Sequence, residues 1–180
     1  MALRKATAYS KKFRKAYTRK SSVKSKSFIK TIPQGKIVKF SMGDVRKYKS
    51  GKFNYLIYLI SSDEVLIRDN AIESARLIIL RHLEEHFKGG FFFSVSKYPH
   101  HVLRENKMLT GAGADRMQTG MSQSFGSTIG IAARVKKNDK LFTIAVSSLK
   151  DANFVRKLLK KAAPKLPCKC SIFIESKKVE

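Results

Sequence analysis

Apolar residues recur along the chain with two periods. Between Asn70 and Phe87 they fall three or four apart, and Ile72, Ala75, Ile79, Leu83 and Phe87 form one stripe, the spacing of an amphipathic helix. Asn70, with Glu73 three residues on, predicts a capping box at its start. His82, His86 and Lys88 at the far end suit the helix dipole, and Gly89-Gly90 stops the helix. A second stripe, Phe154, Val155, Leu158 and Leu159, predicts a helix that begins at Asp151 and ends at Pro164 and Pro167. Elsewhere the apolar residues come in short aromatic and β-branched runs bounded by turn formers, which predicts strands. These are Ile37–Phe40, Phe53–Ser61, the short extended piece Val65–Arg68, Ile129–Val135, Leu141–Ser147 and Cys168–Glu175. Phe91–Tyr98 and His101–Arg104 read as a strand pair around a turn at Pro99. Ser62-Asp63-Glu64 and Lys136-Lys137-Asn138-Asp139 are further turns. Hairpins with two helices, rather than regular strand–helix alternation, predict an α+β fold: a two-layer mixed sheet with two helices.

Residues 1–27 do not share these periods. They are mostly Lys, Arg, Ser, Ala and Thr, and cannot bury enough apolar surface to offset their ordering entropy. They read as a basic extension, mobile when free and ordered on RNA. Residues 28–176 read as the globular domain and 177–180 as a short tail. Tyr9, Phe13, Tyr17 and Phe28 are interleaved with the cations. Aromatic rings can stack on bases or pack into RNA or protein pockets, while cations meet phosphates. A solvated targeting tail is the plainer reading, and four aromatics are unusual in one.

Composition sharpens the picture. The 180 residues suit one domain with some excess, and apolar types make up 43%, enough for a real core. Lys and Arg number 38 against 13 Asp and Glu, a formal charge of +25. Residues 1–52 hold 17 of those cations against one acid, Asp44. No apolar run spans a bilayer, no apolar segment follows the basic N-terminus as in a secretory signal, and two cysteines cannot staple a secreted scaffold. The expectation is a soluble intracellular protein whose charge is neutralised by a polyanion.

One stretch resists secondary structure. Residues 108–130 hold Gly111, Gly113, Gly120, Gly126 and Gly130, half of the chain's ten glycines. Loops this long inside a domain are uncommon and usually functional or disordered. Arg104, Lys107, Arg116 and Arg134 lie in or beside it. Three readings compete. A nucleotide-binding loop is weak, because Arg116 stands where a dinucleotide fingerprint needs its third glycine and no P-loop lysine follows. A plain surface loop is the second. The third is a loop that reaches into folded RNA. Its glycines allow close backbone approach, Arg116 clamps a phosphate or stacks on a base, and Met117 and Met121 give adaptable apolar contacts.

No catalytic or metal constellation emerges. His82 and His86 have a metal-compatible spacing, but H-L-E-E-H misses the zincin arrangement and no third ligand is placed. Cys168 and Cys170 face one side of a predicted strand, lack a second cysteine pair, and read as small core or edge thiols. His100 and His101 beside Glu105, and Asp115, have no nucleophile or carboxylate partner placed by sequence. The chain is therefore read as no enzyme, with no cofactor, metal, membrane or small-molecule substrate.

The stretch Tyr98–Val135 is more specific than any single motif. YPHHVLRENKM, GAGADRMQTGM, SFG and AARV closely resemble the ribosomal large-subunit protein L-sixteen family, in its archaeal and eukaryotic (L-ten-e) branch. RDNAIESAR, the N-terminal KAYTRK and KLPCKCSIFIE resemble it too, so the resemblance covers roughly Tyr9 to Glu175. It implies an α/β hammerhead type of fold. It also implies a non-enzymatic structural constituent of the large subunit, cytoplasmic and ribosome-bound, that joins late in assembly. The body would bind large-subunit rRNA near the A-site tRNA elbow. The loop 108–126 would extend toward the peptidyl transferase centre and P-site tRNA. On this reading Arg4, Lys5, Lys11, Lys12, Arg14, Lys15, Arg19, Lys20, Arg104, Lys107, Arg134, Lys136 and Lys137 meet rRNA. Gly111, Ala112, Gly113, Ala114, Asp115, Arg116, Met117 and Gln118 form the tRNA-proximal loop. Neighbouring ribosomal proteins and assembly factors are the further partners.

The sequence departs from the family where Ser122 replaces a usual basic residue, Ser127-Thr128 a usual Lys-Pro, and Ile131 a usual Thr. The loop has thus lost two cations and a proline. The chain stops soon after its last strand, which leads us to expect an archaeal source or a reduced genome. The alternative function is a general basic nucleic-acid-binding or RNA-chaperone protein without a fixed ribosomal site. Charge alone would suffice for it, and a fixed glycine motif would be superfluous.

Overall fold

The computed structural model describes residues 5–11, 23–26, 29, 31–105 and 126–176. In chain order the elements are β1 (Ser41–Gly43), α1 (Val45–Lys49), β2 (Tyr55–Ser61), β3 (Val65–Arg68) and α2 (Asp69–Phe87). They continue with β4 (Phe92–Val95), β5 (His101–Glu105), β6 (Ser127–Val135), β7 (Lys140–Val146), α3 (Leu149–Ala162) and β8 (Cys170–Ser176). The expected α+β class holds. The strands form two antiparallel sheets, one of five in the order β1-β4-β7-β2-β8 and one of three in the order β3-β6-β5. Three helices are described, of which α2 and α3 are long.

The two sheets share one core. Ile72, Ala75, Ile79 and Leu83 of α2 are buried as their spacing predicts, and Val155, Leu158 and Leu159 of α3 join them. Beneath lie Ile57 and Leu59 of β2, Phe93 of β4 and Ile144 of β7 from the larger sheet, with Ile67 of β3 and Ala133 and Val135 of β6 from the smaller. β2 buries both faces. Leu56 and Tyr58 point away from that core into a second cluster with Phe53 and Phe92, where Tyr48 of α1 stacks on Phe92 at 3.9 Å. Burial on both sides explains why its sequence is continuously apolar instead of alternating.

Local rules account for several boundaries. α2 begins one residue before the predicted cap, with Arg68 in the extended conformation at the N-cap and no side-chain cap. Glu73 does not close a capping box. It takes a bidentate pair from Arg76 instead, at 2.6 and 2.7 Å, because Arg76 is buried and needs a counter-charge. α3 starts at Leu149 rather than Asp151, since the Ser148 hydroxyl accepts from the Lys150 N–H at 3.3 Å. Lys88 takes the left-handed C-cap position before Gly89. Ile37–Phe40 is not a strand. The ladder with β4 covers Ser41–Gly43, and Gly43 sits at φ +81°, where a Cβ would collide with the Phe91 carbonyl.

Phe91–Tyr98 and His101–Arg104 are not partners. Both edges of β4 are taken, by β1 and β7, so the chain crosses at the buried Pro99 and β5 pairs with β6 in the other sheet. Phe40 and Tyr98 stack at 5.2 Å beside that crossing. Cys168 lies in a bend, and the last strand begins at Cys170.

Among the described residues no helix is long and apolar enough to cross a membrane. The buried stripe makes a direct prediction. Ile79→Ala should cost about 2–5 kcal/mol in urea unfolding through cavity formation. Leu77→Ala, two residues away on the exposed face of α2, should stay within about 0.5 kcal/mol.

Candidate nucleic-acid interface

The three-stranded sheet carries the loop stem. β5 and β6 are antiparallel, with Arg104 opposite Thr128 and Glu105 opposite Ser127, so the chain leaves and re-enters the body at one place. The Ser127 hydroxyl donates to the Glu105 carbonyl at 3.4 Å there. A bulge follows Leu103. Residues 106–125 join these strands, so Lys107, Gly111, Ala112, Gly113, Ala114, Asp115, Arg116, Met117 and Gln118 lie outside the described residues. So do Arg4, Lys12, Arg14, Lys15, Arg19 and Lys20.

Of the cations expected to meet rRNA, Lys5, Lys11, Arg104, Arg134, Lys136 and Lys137 are described, and Arg104 and Arg134 belong to this sheet. Directly opposed residues share a face. Leu66 stands opposite Arg134, Arg68 opposite Ala132, and Ala132 opposite His101. The apolar patch at its centre is Leu66, Leu103 and Ala132. Arg68 was not apparent as a site residue from sequence. Only the strand register puts it on the face that Arg134 shares, and its guanidinium donates to the Lys5 carbonyl at 2.6 Å. Lys136 and Lys137 are exposed in the turn that leaves β6, where Asn138 takes φ +66° and the Lys136 N–H donates to the Asp139 carboxylate at 2.8 Å.

Part of the segment expected to order only on RNA is packed on the body. Residues 5–10 form a turn, with the Ala8 N–H donating to the Lys5 carbonyl at 3.0 Å and the Ser10 hydroxyl to the Thr7 carbonyl at 2.7 Å. The Leu66 N–H, on the free edge of β3, donates to the Ser10 carbonyl at 3.0 Å. Tyr9 packs against the Leu66–Leu103–Ala132 patch. Its ring is therefore engaged by the protein's own sheet rather than held out for a base. Lys5 and Lys11, both exposed, are thereby placed at the edge of the strand that faces Arg134.

The electrostatics of the face are legible in one buried group. Burial, and then the nearby Arg134 charge, push the His101 pKa below the ordinary histidine range. The neutral imidazole is thus favoured first by its own burial and second by the positive charge of Arg134. The histidine pair of α2 is engaged otherwise. His82 contacts Glu85 at 3.3 Å and His86 stacks on Phe154 at 4.0 Å. Among the described residues no group of three or more His, Cys, Asp and Glu can hold a metal ion.

Comparison with known proteins decides the family. The model of the family described as ribosomal protein L16p/L10e matches residues 10–173. The chain belongs to that family. Large ribosomal subunit protein uL16 of Methanococcus maripaludis (strain C7) is 40% identical over 175 residues, 97% of this chain and 95% of that protein. The protein of the same description from Sulfolobus acidocaldarius is 40% identical over 178 residues, 98% of this chain and 96% of its own length. That of Saccharolobus islandicus (strain L.S.2.15) is 40% identical over 176 residues, covering 97% and 93%. This L16p/L10e membership makes the chain a ribosomal protein and not an enzyme.

The His101 shift has a definite sign. The folded state holds the imidazole neutral, while the unfolded chain protonates it near its ordinary pKa. Its contribution to stability is thus complete above about pH 6.5 and is lost as the pH falls through the lower folded value. Urea midpoints measured between pH 7.5 and 5 should fall with acidification, and His101→Gln should flatten that fall relative to the parent. An unchanged slope would show that His101 is not the group responsible.

Proposed function

We propose that the chain is a structural constituent of the large ribosomal subunit, in the cytoplasm, that binds large-subunit rRNA through the outer face of its three-stranded sheet. Lys5, Lys11, Arg104, Arg134, Lys136 and Lys137 meet phosphates there. Arg4, Lys12, Arg14, Lys15, Arg19, Lys20 and Lys107 extend the same role along the flanking segments. The body sits near the A-site tRNA elbow. The loop 108–126 reaches toward the peptidyl transferase centre and P-site tRNA, with Arg116 at its most specific contact. Neighbouring ribosomal proteins and assembly factors complete its partners.

The observation that carries this reading is the near full-length match to the family. Two others support it. The charge of +25 needs a polyanion. The antiparallel stem of β5 and β6 provides a rigid base for a long connection flanked by Arg104 and Arg134. The mechanism is neutralisation and bracing. Cations release counterions from phosphates, and the glycine-rich segment lets backbone approach RNA closely.

Binding to a large-subunit rRNA fragment should therefore weaken with salt. Replacing Arg134, Lys136 and Lys137 together by glutamine should flatten the log–log salt slope by about 2–3. An unaltered slope would place the phosphate contacts elsewhere. Arg116→Ala should leave the stability of the isolated protein unchanged and slow large-subunit maturation or tRNA positioning; normal polysome profiles and translation rates in that variant would refute the role given to the loop.

A further inference from the structure

The RNA-facing sheet leaves one pair of reactive groups unused. At the far edge of the five-stranded sheet, the sulfurs of Cys168 and Cys170 lie 3.6 Å apart. Residues two apart on a regular strand share a face but rarely bring their side-chain tips together. Here the chain is not regular. Cys168 sits in a bend after Pro167, and Cys170 opens β8. Lys169 between them is held at both backbone groups by the turn that joins β2 and β3. Its N–H donates to the Asp63 carboxylate at 3.1 Å, and its carbonyl accepts from the Ser62 N–H at 2.9 Å. With the spacer pinned, the two flanking side chains are turned toward one another. Both cysteines are free and partly exposed.

We propose that Cys168 and Cys170 form a modification site, a dithiol that a hydroperoxide closes to an intramolecular disulfide at the start of β8. A disulfide needs sulfurs about 2.05 Å apart. The remaining approach from 3.6 Å is of the order of rotation about the two Cα–Cβ bonds, and β8 pairs on one side only, with β2. The roles of the two sulfurs differ. Contact with Cys170 holds the Cys168 pKa down to about 7 against the opposing effect of burial. Contact with Cys168, and burial, push Cys170 up. The Cys170 thiol reaches both the Cys168 sulfur and the Cys168 carbonyl at 3.6 Å, which makes it the donor of the pair, so Cys168 is assigned as the attacking thiolate and Cys170 as the resolving thiol.

The steps balance. The Cys168 thiolate attacks the O–O bond of the hydroperoxide. A sulfur–oxygen bond forms, the O–O bond breaks, and the departing alkoxide or hydroxide takes up a proton. Cys168 is oxidised by two electrons to a sulfenic acid and the peroxide is reduced. The Cys170 sulfur then attacks the Cys168 sulfur. The S–S bond forms, the S–O bond breaks, and the leaving hydroxide takes the Cys170 proton to depart as water.

The test uses the reduced full-length protein and hydrogen peroxide as the probe. After acid quench and alkylation, mass mapping without reductant should find one monomeric peptide in which Cys168 and Cys170 are joined, restored to two alkylatable thiols by dithiothreitol. Cys170→Ser should trap a dimedone-reactive sulfenic acid at Cys168. Two thiols that stay reduced, or that oxidise independently, under conditions that oxidise glutathione would overturn the proposal. So would a link formed only between chains.

Discussion

A single apolar layer under α2 holds the molecule together. Ile72, Ala75, Ile79 and Leu83 face strands of both sheets at once, and the same layer takes in α3. Apolar burial of this kind is the dominant favourable term in folding and has no direction of its own. Direction comes from the strands. β6 and β7 are consecutive and separated by a four-residue turn, yet they belong to different sheets. The turn at Lys136 to Asp139 is therefore where the fold divides. On one side β7 pairs with both β4 and β2 at the centre of the larger sheet, and on the other β6 occupies the centre of the smaller one.

That division separates two tasks. The five-stranded sheet has α2 and α3 on one face and α1 over part of the other, with a buried cluster on each side. The three-stranded sheet turns Ile67, Ala133 and Val135 into the shared core while Leu66, Arg68, Ala132 and Arg134 look outward. Its outer patch is too small to stand as a core. It is closed instead by Tyr9 from the N-terminal segment, which also supplies a hydrogen-bond partner for the free edge of β3. An edge satisfied in this way is protected from pairing with another chain. The same docking fixes Lys5 and Lys11 beside the sheet, so one set of contacts closes the patch and places two exposed cations next to the candidate interface.

The parts of this fold that were legible in the sequence are those governed by local periodicity. The stripe of α2 and the aliphatic side of α3 are visible because an exposed helix face forces polar residues between apolar ones. β2 is visible because of its aromatic and β-branched run. Pairing was not legible in the same way. Nothing in Phe91–Tyr98 or His101–Arg104 reveals that β7 and β1 already occupy both edges of β4. A proline turn between two extended runs looks like a hairpin whether or not the strands meet. Glu73 stood at the spacing of a capping box, and the buried charge of Arg76 took it instead. The candidate interface was partly legible. Arg104, Arg134, Lys136 and Lys137 flank a conspicuous glycine-rich stretch. Arg68 and Tyr9 join them only through strand register and tertiary packing, for which a single sequence carries no signal.

The central claim is that this chain occupies a fixed site on large-subunit rRNA rather than binding polyanions by charge. Sedimentation of cell lysate through sucrose at low and high salt, with the protein followed by antibody, tests it most directly. Co-sedimentation with large subunits and whole ribosomes should survive high salt, because a shaped interface keeps its contacts after exposed charges are screened. Protein stripped to the top of the gradient by modest salt, or spread over all nucleic acid, would contradict the account.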